Sequence, residues 1–227
     1  KTIMQPFLDK IAERLLNKFP DNLERVLVVL PSKRSVIFLK NYLSKRIKAS
    51  IFLPHFYSIE EFVERLSGLQ VLDNVSLQFK LYESYLNTTS DKVEGFDKFL
   101  SWGSTVLHDF NDIDRSLVDA EAIYTNLTNV KELESWSIDN WSLSQDNLSY
   151  LQQDYISFFK SMFVLYSDFK EKLLREKLAY QGLAYRSAAI NIKDVKLEWE
   201  KIWFVGLNAL TKSEQEIINY LKEKDIA

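Results

Sequence analysis

The chain has no cysteine, so it can form neither disulfides nor thiolate metal sites. Its two histidines, His55 and His108, are too few for a histidine-rich metal centre. Glycine is scarce, at positions 68, 95, 103, 182 and 206 only. All four prolines (Pro6, Pro20, Pro31, Pro54) lie in the first quarter. Proline disrupts helix interiors, so the proline-free stretch after Pro54 permits nearly continuous helix. No apolar run approaches the length of a membrane span and no signal peptide is visible, which sets the expectation of a soluble, cytoplasmic protein without membrane contact. Excess charge is also lacking. The net charge is −3 and the pI about 5.6, so any nucleic-acid contact must come from a local basic patch.

What is present is apolar. Hydrophobic residues make up 46% of 227, enough for a sizeable core in one large or two small domains. Two short runs read as buried parallel strands: Val26–Leu30, leading into Pro31-Ser32-Lys33-Arg34, and Lys201–Val205, leading into Gly206-Leu207-Asn208. Nearly everything between them has helical pattern. Phe7–Lys18 and Arg34–Ile47 are amphipathic, and further helices are expected near Val75–Leu86, Phe96–Phe110, Asp119–Leu127, Asp146–Leu178 and Leu183–Asn191. Ile51–Leu53 reads as a short extended piece broken by Pro54. Ser58-Ile59-Glu60-Glu61 fits a capping box, and Thr211-Lys212-Ser213-Glu214 caps the last helix. The expected fold is α/β but mostly α. An incomplete, discontinuous parallel-sheet domain of residues 1–58 and 198–227 is interrupted by an all-α insertion of residues 59–197. The chain opens on Lys1 rather than Met and stops just past a helix-like Ile217–Lys224, so it is read as a piece of something longer.

Several phrases carry a resemblance. Val26-Leu27-Val28-Val29-Leu30-Pro31-Ser32-Lys33-Arg34, followed by Phe38-Leu39 and Tyr42-Leu43, resembles the early helicase strand of AddB-type proteins, subunits of bacterial helicase–nuclease complexes that process double-strand breaks. Ile51-Phe52-Leu53-Pro54 with Tyr57–Phe62, Leu178-Ala179-Tyr180-Gln181-Gly182, and Phe204–Thr211 are similar to later stretches of the same family. The resemblance is to members of the PD-(D/E)XK nuclease group whose N-terminal half is a degenerate helicase. It implies a RecA-like sheet, and it places the nuclease domain of the parent protein, an exonuclease, far downstream.

The motor chemistry that this resemblance brings to mind lacks its residues. An ATPase needs a glycine-rich phosphate loop ending in lysine and a hydroxyl. No such loop exists, and residues 1–24 contain no glycine. The resemblance to UvrD-type helicases puts the magnesium-holding acidic pair at Val205 and Gly206, neither of which can bind a metal. Asn208 falls where that pattern has glutamine, and without acidic neighbours it reads as a turn residue. No catalytic residue, metal site or cofactor is assigned to this chain. Asp194-Val195-Lys196 fits the short half of a nuclease motif but reads as a solvated connector.

Three other features stand out. Ser32, Lys33 and Arg34 follow the first strand at a helix start, where backbone N–H groups and the dipole favour anions. Lys40, Lys45, Arg46 and Lys48 add charge along that helix. The resemblance implies that this loop touches a DNA backbone, so the candidate DNA-binding set is Ser32, Lys33, Arg34 and Lys40. The acidic run His108–Asp114 fails as a calcium loop, with Leu117 where glycine is needed and Ile123 where glutamate is needed. It reads as a helix end with Phe110 and Ile113 buried and its acids in solvent, or else as a polar joint between insertion and sheet domain. Among the tryptophans, Trp102 and Trp203 sit in core-like patterns, while Trp136 and Trp141 are candidates for contact with DNA or a partner. Two functional expectations remain. One is a non-catalytic helicase-like scaffold that guides single-stranded DNA and docks a helicase partner subunit. The other is a protein-interaction module with no DNA contact.

Overall fold

A computed structural model describes residues 5–48, 50–89, 93–127 and 150–227. The chain forms two compact units, one of Lys1–Gly68 with Ser187–Ala227 and the other of Leu69–Arg186. The fold is α/β and mostly α.

The first unit is built on three parallel strands: β1 (Val26–Leu30), β2 (His55–Ser58) and β5 (Lys201–Phe204), in the order β2-β1-β5. Leu27 lies opposite both His55 and Ile202, and Val29 opposite Tyr57 and Phe204. All five residues of β1 are buried, as an unbroken aliphatic run in the middle of a parallel sheet must be. Val26, Val28 and Leu30 point to one face. There they meet Ile11, Ala12 and Leu15 of α1 (Phe7–Lys18) and Val36, Leu39 and Leu43 of α2 (Lys33–Arg46). On α3 (Ile59–Ser67), Phe62 and Val63 are fully buried, and the Phe62 ring packs 5.7 Å from that of Phe204. Both expected capping boxes form. Ser58 and Glu61 close the start of α3, and Thr211 and Glu214 close the start of α9 (Lys212–Glu223).

The second unit is a helical bundle. It contains α4 (Asn74–Thr88), α5 (Phe96–Arg115), α6 (Ala120–Leu127) and α7 (Tyr150–Arg175), with α8 (Gln181–Asn191) beginning in it. Leu77, Leu81, Phe99, Phe110, Phe169 and Leu173 form the middle of its core. Gly182 is required by a close approach. Its N–H reaches Asn111 Oδ1 at 2.7 Å, and a Cβ there would lie 2.1 Å from the Asn111 carbonyl oxygen.

Three sequence expectations need correction. The extended segment before α3 is His55–Ser58, after Pro54, not Ile51–Leu53 before it. Proline cannot donate to a ladder, so pairing with β1 starts only beyond it. The helical unit is not purely helical: β3 (Gln70–Val71) and β4 (Leu178–Ala179) form a two-residue parallel pair. The unit boundaries fall at 68 and 187 rather than 58 and 198, because Phe62 and Val63 of α3 pack with the sheet strands. Among the described residues, no helix is long and apolar enough to cross a membrane.

Candidate nucleic-acid interface

Because all three strands of the sheet are parallel, their carboxyl ends share one edge. Ser32–Arg34 leaves that edge after β1, Ser58 after β2 and Gly206 after β5. In open parallel sheets, ligands bind at this edge.

Ser32 caps α2, its Oγ accepting the Ser35 N–H at 3.3 Å. The first N–H groups of a helix have no intrahelical acceptor, so they add partial positive charge beside Lys33 and Arg34. Lys33 is 75% exposed at its side chain and reaches Glu61 Oε1 at 3.1 Å. An exposed pair of this kind is worth about 0–1 kcal/mol, so it is a weak competitor for Lys33. Burial raises the Glu61 carboxyl, but the Ser58 N–H, the Lys33 ammonium and the Ser58 hydroxyl outweigh it and hold the group below its ordinary range. Arg34 lies over the exposed Phe38 ring, 5.7 Å from its centroid. Lys40 lies two turns along from Lys33 and is stationed 5.3 Å over the Phe56 ring. The four candidate residues therefore occupy one exposed stretch of α2 and its cap. Lys45 sits over Tyr42, and Lys48 is exposed just past the helix. Arg46 is different. It grips Asp9 through two hydrogen bonds of 2.8 and 2.9 Å and clamps α2 to α1.

Val205 and Gly206, where the resemblance would place a motor's acidic pair, directly follow β5. Val205 is buried and its N–H donates to the Val29 carbonyl at 2.9 Å. Gly206 has φ +74°, a left-handed conformation that glycine adopts without strain. A Cβ on it would lie 3.5 Å from the Phe7 ring and 3.8 Å from Pro31. The chain goes from β1 to β2 on one side and to β5 on the other, so the crevice between the ends of β1 and β5 is the switch point of the sheet. Phe7 and Pro31 lie beside it, where a phosphate-binding fold would present glycine N–H groups. Asn208 is exposed in the turn beyond. Asp194 lies in a 3-10 turn and Lys196 in irregular chain, so this acid-x-Lys triplet is not on a strand.

The acidic run at the end of α5 corrects another expectation. His108, Asp109 and Asp112 are exposed, but Asp114 is completely buried. Its carboxylate accepts from the Tyr166 hydroxyl at 2.6 Å and from the Tyr180 hydroxyl, and it lies 2.5 Å from Arg186 Nε. Arg186 also donates to the carbonyls of Ile113 (3.1 Å) and Val118 (2.5 Å). Burial and the Asp114 charge push both tyrosines well above their ordinary value. Burial lowers the Lys170 amine; Asp114 opposes this and Arg186 adds to it. All these groups lie in the helical unit, where the buried end of the run is an internal anchor. The sequence reading missed Asp114, yet a signal was there. Asp114 follows Phe110 by four residues and Leu107 by seven, which puts it on the buried face of α5.

Trp102 and Trp203 are half-buried against the two cores, and Trp199 is buried beside Phe62. Trp136 and Trp141 lie outside the described residues. No protein-family model and no curated protein matches the chain. The functional reading therefore rests on this geometry and on the resemblance of the dispersed phrases.

Proposed function

We propose that the chain is a non-catalytic, helicase-like scaffold of an AddB-like DNA-repair nuclease. It guides single-stranded DNA along the carboxyl edge of its sheet and docks a helicase partner in the cytoplasm. One observation carries the reading: Ser32, Lys33 and Arg34 stand exposed at a capped helix start on the ligand-binding edge of a parallel sheet, with Lys40 on the same helix. Phosphates would meet two cations and the positive end of α2. Bases would meet Phe38, which already lies under the Arg34 guanidinium. Pro31 and Phe7 beside Gly206, in place of a glycine-rich loop, fit a scaffold that works without nucleotide turnover.

The test is single-stranded DNA binding across a salt series. Each phosphate contact contributes a log–log slope of about 0.7 for single strands, so the Lys33→Ala, Arg34→Ala double variant should lower the slope by roughly 1.4 for every sequence alike. It should leave folding intact, since exposed cations contribute little to stability. Equal affinity and an unchanged slope in the double variant would remove the DNA path.

The second reading, an interaction module with no DNA contact, is favoured by one other surface. Val75, Phe79 and Leu86 stand exposed at helical spacing on α4. A Phe79→Glu variant that loses a helicase partner while the double variant above retains it would put this reading first.

A further inference from the structure

In the strand order β2-β1-β5, no strand among the described residues pairs with the outer side of β5. Backbone alternation sets what that side offers. The Val205 N–H donates inward to the Val29 carbonyl, so the N–H and C=O groups of Ile202 and Phe204 point outward. The Ile202 N–H donates at 2.7 Å to the carbonyl of Ile226, where the chain turns back after α9. That bond has the sense of a parallel ladder. The Ile226 N–H donates to Leu221 and not back to Ile202, as an antiparallel pair would require. A further residue in that line would bond both the Ile202 carbonyl and the Phe204 N–H, which have no backbone partner among the described residues. The side chains agree. Every residue of β1 is buried, but Trp203 and Phe204, on opposite faces of β5, stay half-buried. Both line a cleft of about 360 Å³ with Leu207, Leu210 and Ile218. Lys222 is the one charged residue in that lining, and the adjacent Lys201 and Asp225 pair with each other at 3.0 Å. An apolar cleft beside an open main-chain edge selects an extended segment, because a helix or a compact ligand would leave the edge unpaired.

We propose that the β5 edge binds an extended apolar segment of a partner protein, laid parallel to β5 as a fourth strand, with an acidic residue at its amino end facing Lys222. Neither the DNA path on α2 nor the exposed face of α4 enters this assignment.

Titration calorimetry of the whole chain tests it, with a short end-blocked peptide of alternating valine and threonine, led by one aspartate, as the probe. The peptide should saturate one site. The same peptide N-methylated at every residue keeps its side chains but has no N–H to give, and it should bind at least about tenfold more weakly. N-methylation at alternate residues leaves one bonding edge and should retain most of the affinity. Exchange of the leading aspartate for lysine should weaken binding about twofold to fivefold, the scale of an exposed ion pair. Lys222→Glu, at an exposed position, should reverse that preference. The peptide series alters nothing in the protein, so it decides the question even if the variant does not fold. The assignment is overturned if the free peptide does not saturate, if the fully methylated peptide binds equally well, or if Lys222→Glu folds and leaves the aspartate preferred. Saturation only by a peptide fused after Ala227 would also overturn it, because the edge would then belong to the same chain and not to a partner.

Discussion

The two units solve the problem of a core in opposite ways. The sheet unit centres on β1, five aliphatic residues with no polar side chain. Among its described residues the one buried carboxylate, Glu214, closes a helix cap. The helical unit places a fully buried carboxylate, Asp114 of α5, where Tyr166 of α7, Tyr180 and Arg186 of α8 all answer it. Aliphatic packing tolerates small changes of shape, whereas a buried charge depends on every partner. The helical unit thus adds a few specific polar groups to its apolar core, whereas the sheet unit relies chiefly on apolar burial.

The sharpest way to break this contrast is Asp114→Ala. Removing one member of a buried ion pair strands the cation left behind, at a cost of about 3–5 kcal/mol. Hydrogen exchange should show lost protection in α5 and α7, with β1 and β5 unchanged; equal loss in both units would erase the distinction. Leu27→Ala, at a fully buried position in β1, should cost about 3 kcal/mol and invert that pattern. Alkaline titration sharpens the contrast further. Tyr166 and Tyr180 titrate far above their ordinary value near 10 when folded, and burial pushes Tyr124 up to about 12. The folded state therefore holds protons that the unfolded chain releases, and stability is full below pH 10 and falls above it. Lys170, lowered in the fold, acts in the opposite direction only below its ordinary value near 10.5. Above that pH the helical unit should lose about 1.4 kcal/mol per pH unit for each raised tyrosine. The part of the tyrosinate absorbance near 295 nm that a Tyr166→Phe variant lacks should rise only with unfolding; its rise in a still-folded unit would contradict the buried network. The smallest effect belongs to Ser58→Ala, which removes the cap of α3 and should lower the stability of the sheet unit by about 1 kcal/mol in urea denaturation.

Local chemistry was legible in the sequence, and distant partnership was not. The ends of β1 and α1 and both capping boxes follow from apolar runs and short-range hydrogen bonding, and they lie where the sequence places them. β2 was missed because His55-Phe56-Tyr57-Ser58 carries no aliphatic run; it is a strand because β1 offers it an edge. β3 and β4 are two residues each, too short for any period to show. On the candidate surface, Ser32, Lys33, Arg34 and Lys40 were visible as a basic helix start. The diversion of Arg46 to Asp9, 37 residues earlier, was not. Asp114 illustrates the limit. Its place on the buried face of α5 is written in the spacing of Phe110 and Leu107, but Tyr166 and Tyr180 stand 52 and 66 residues away, and no local pattern links them.

The pairing of β1 with β5 also sets a schedule for synthesis. Arg25 and Glu200, at the margin of that pair, are 175 residues apart in the chain. A ribosome adding roughly 5–20 residues per second leaves β1 without this neighbour for on the order of 10–35 seconds. The whole helical unit, Leu69–Arg186, is synthesised during that interval. Its folding draws a long stretch of chain into a compact body, which lowers the entropy cost of joining the two ends of the sheet unit. Until then the aliphatic edge of β1 is a surface on which a nascent chain can aggregate, and a slower or misfolded insert would lengthen that exposure.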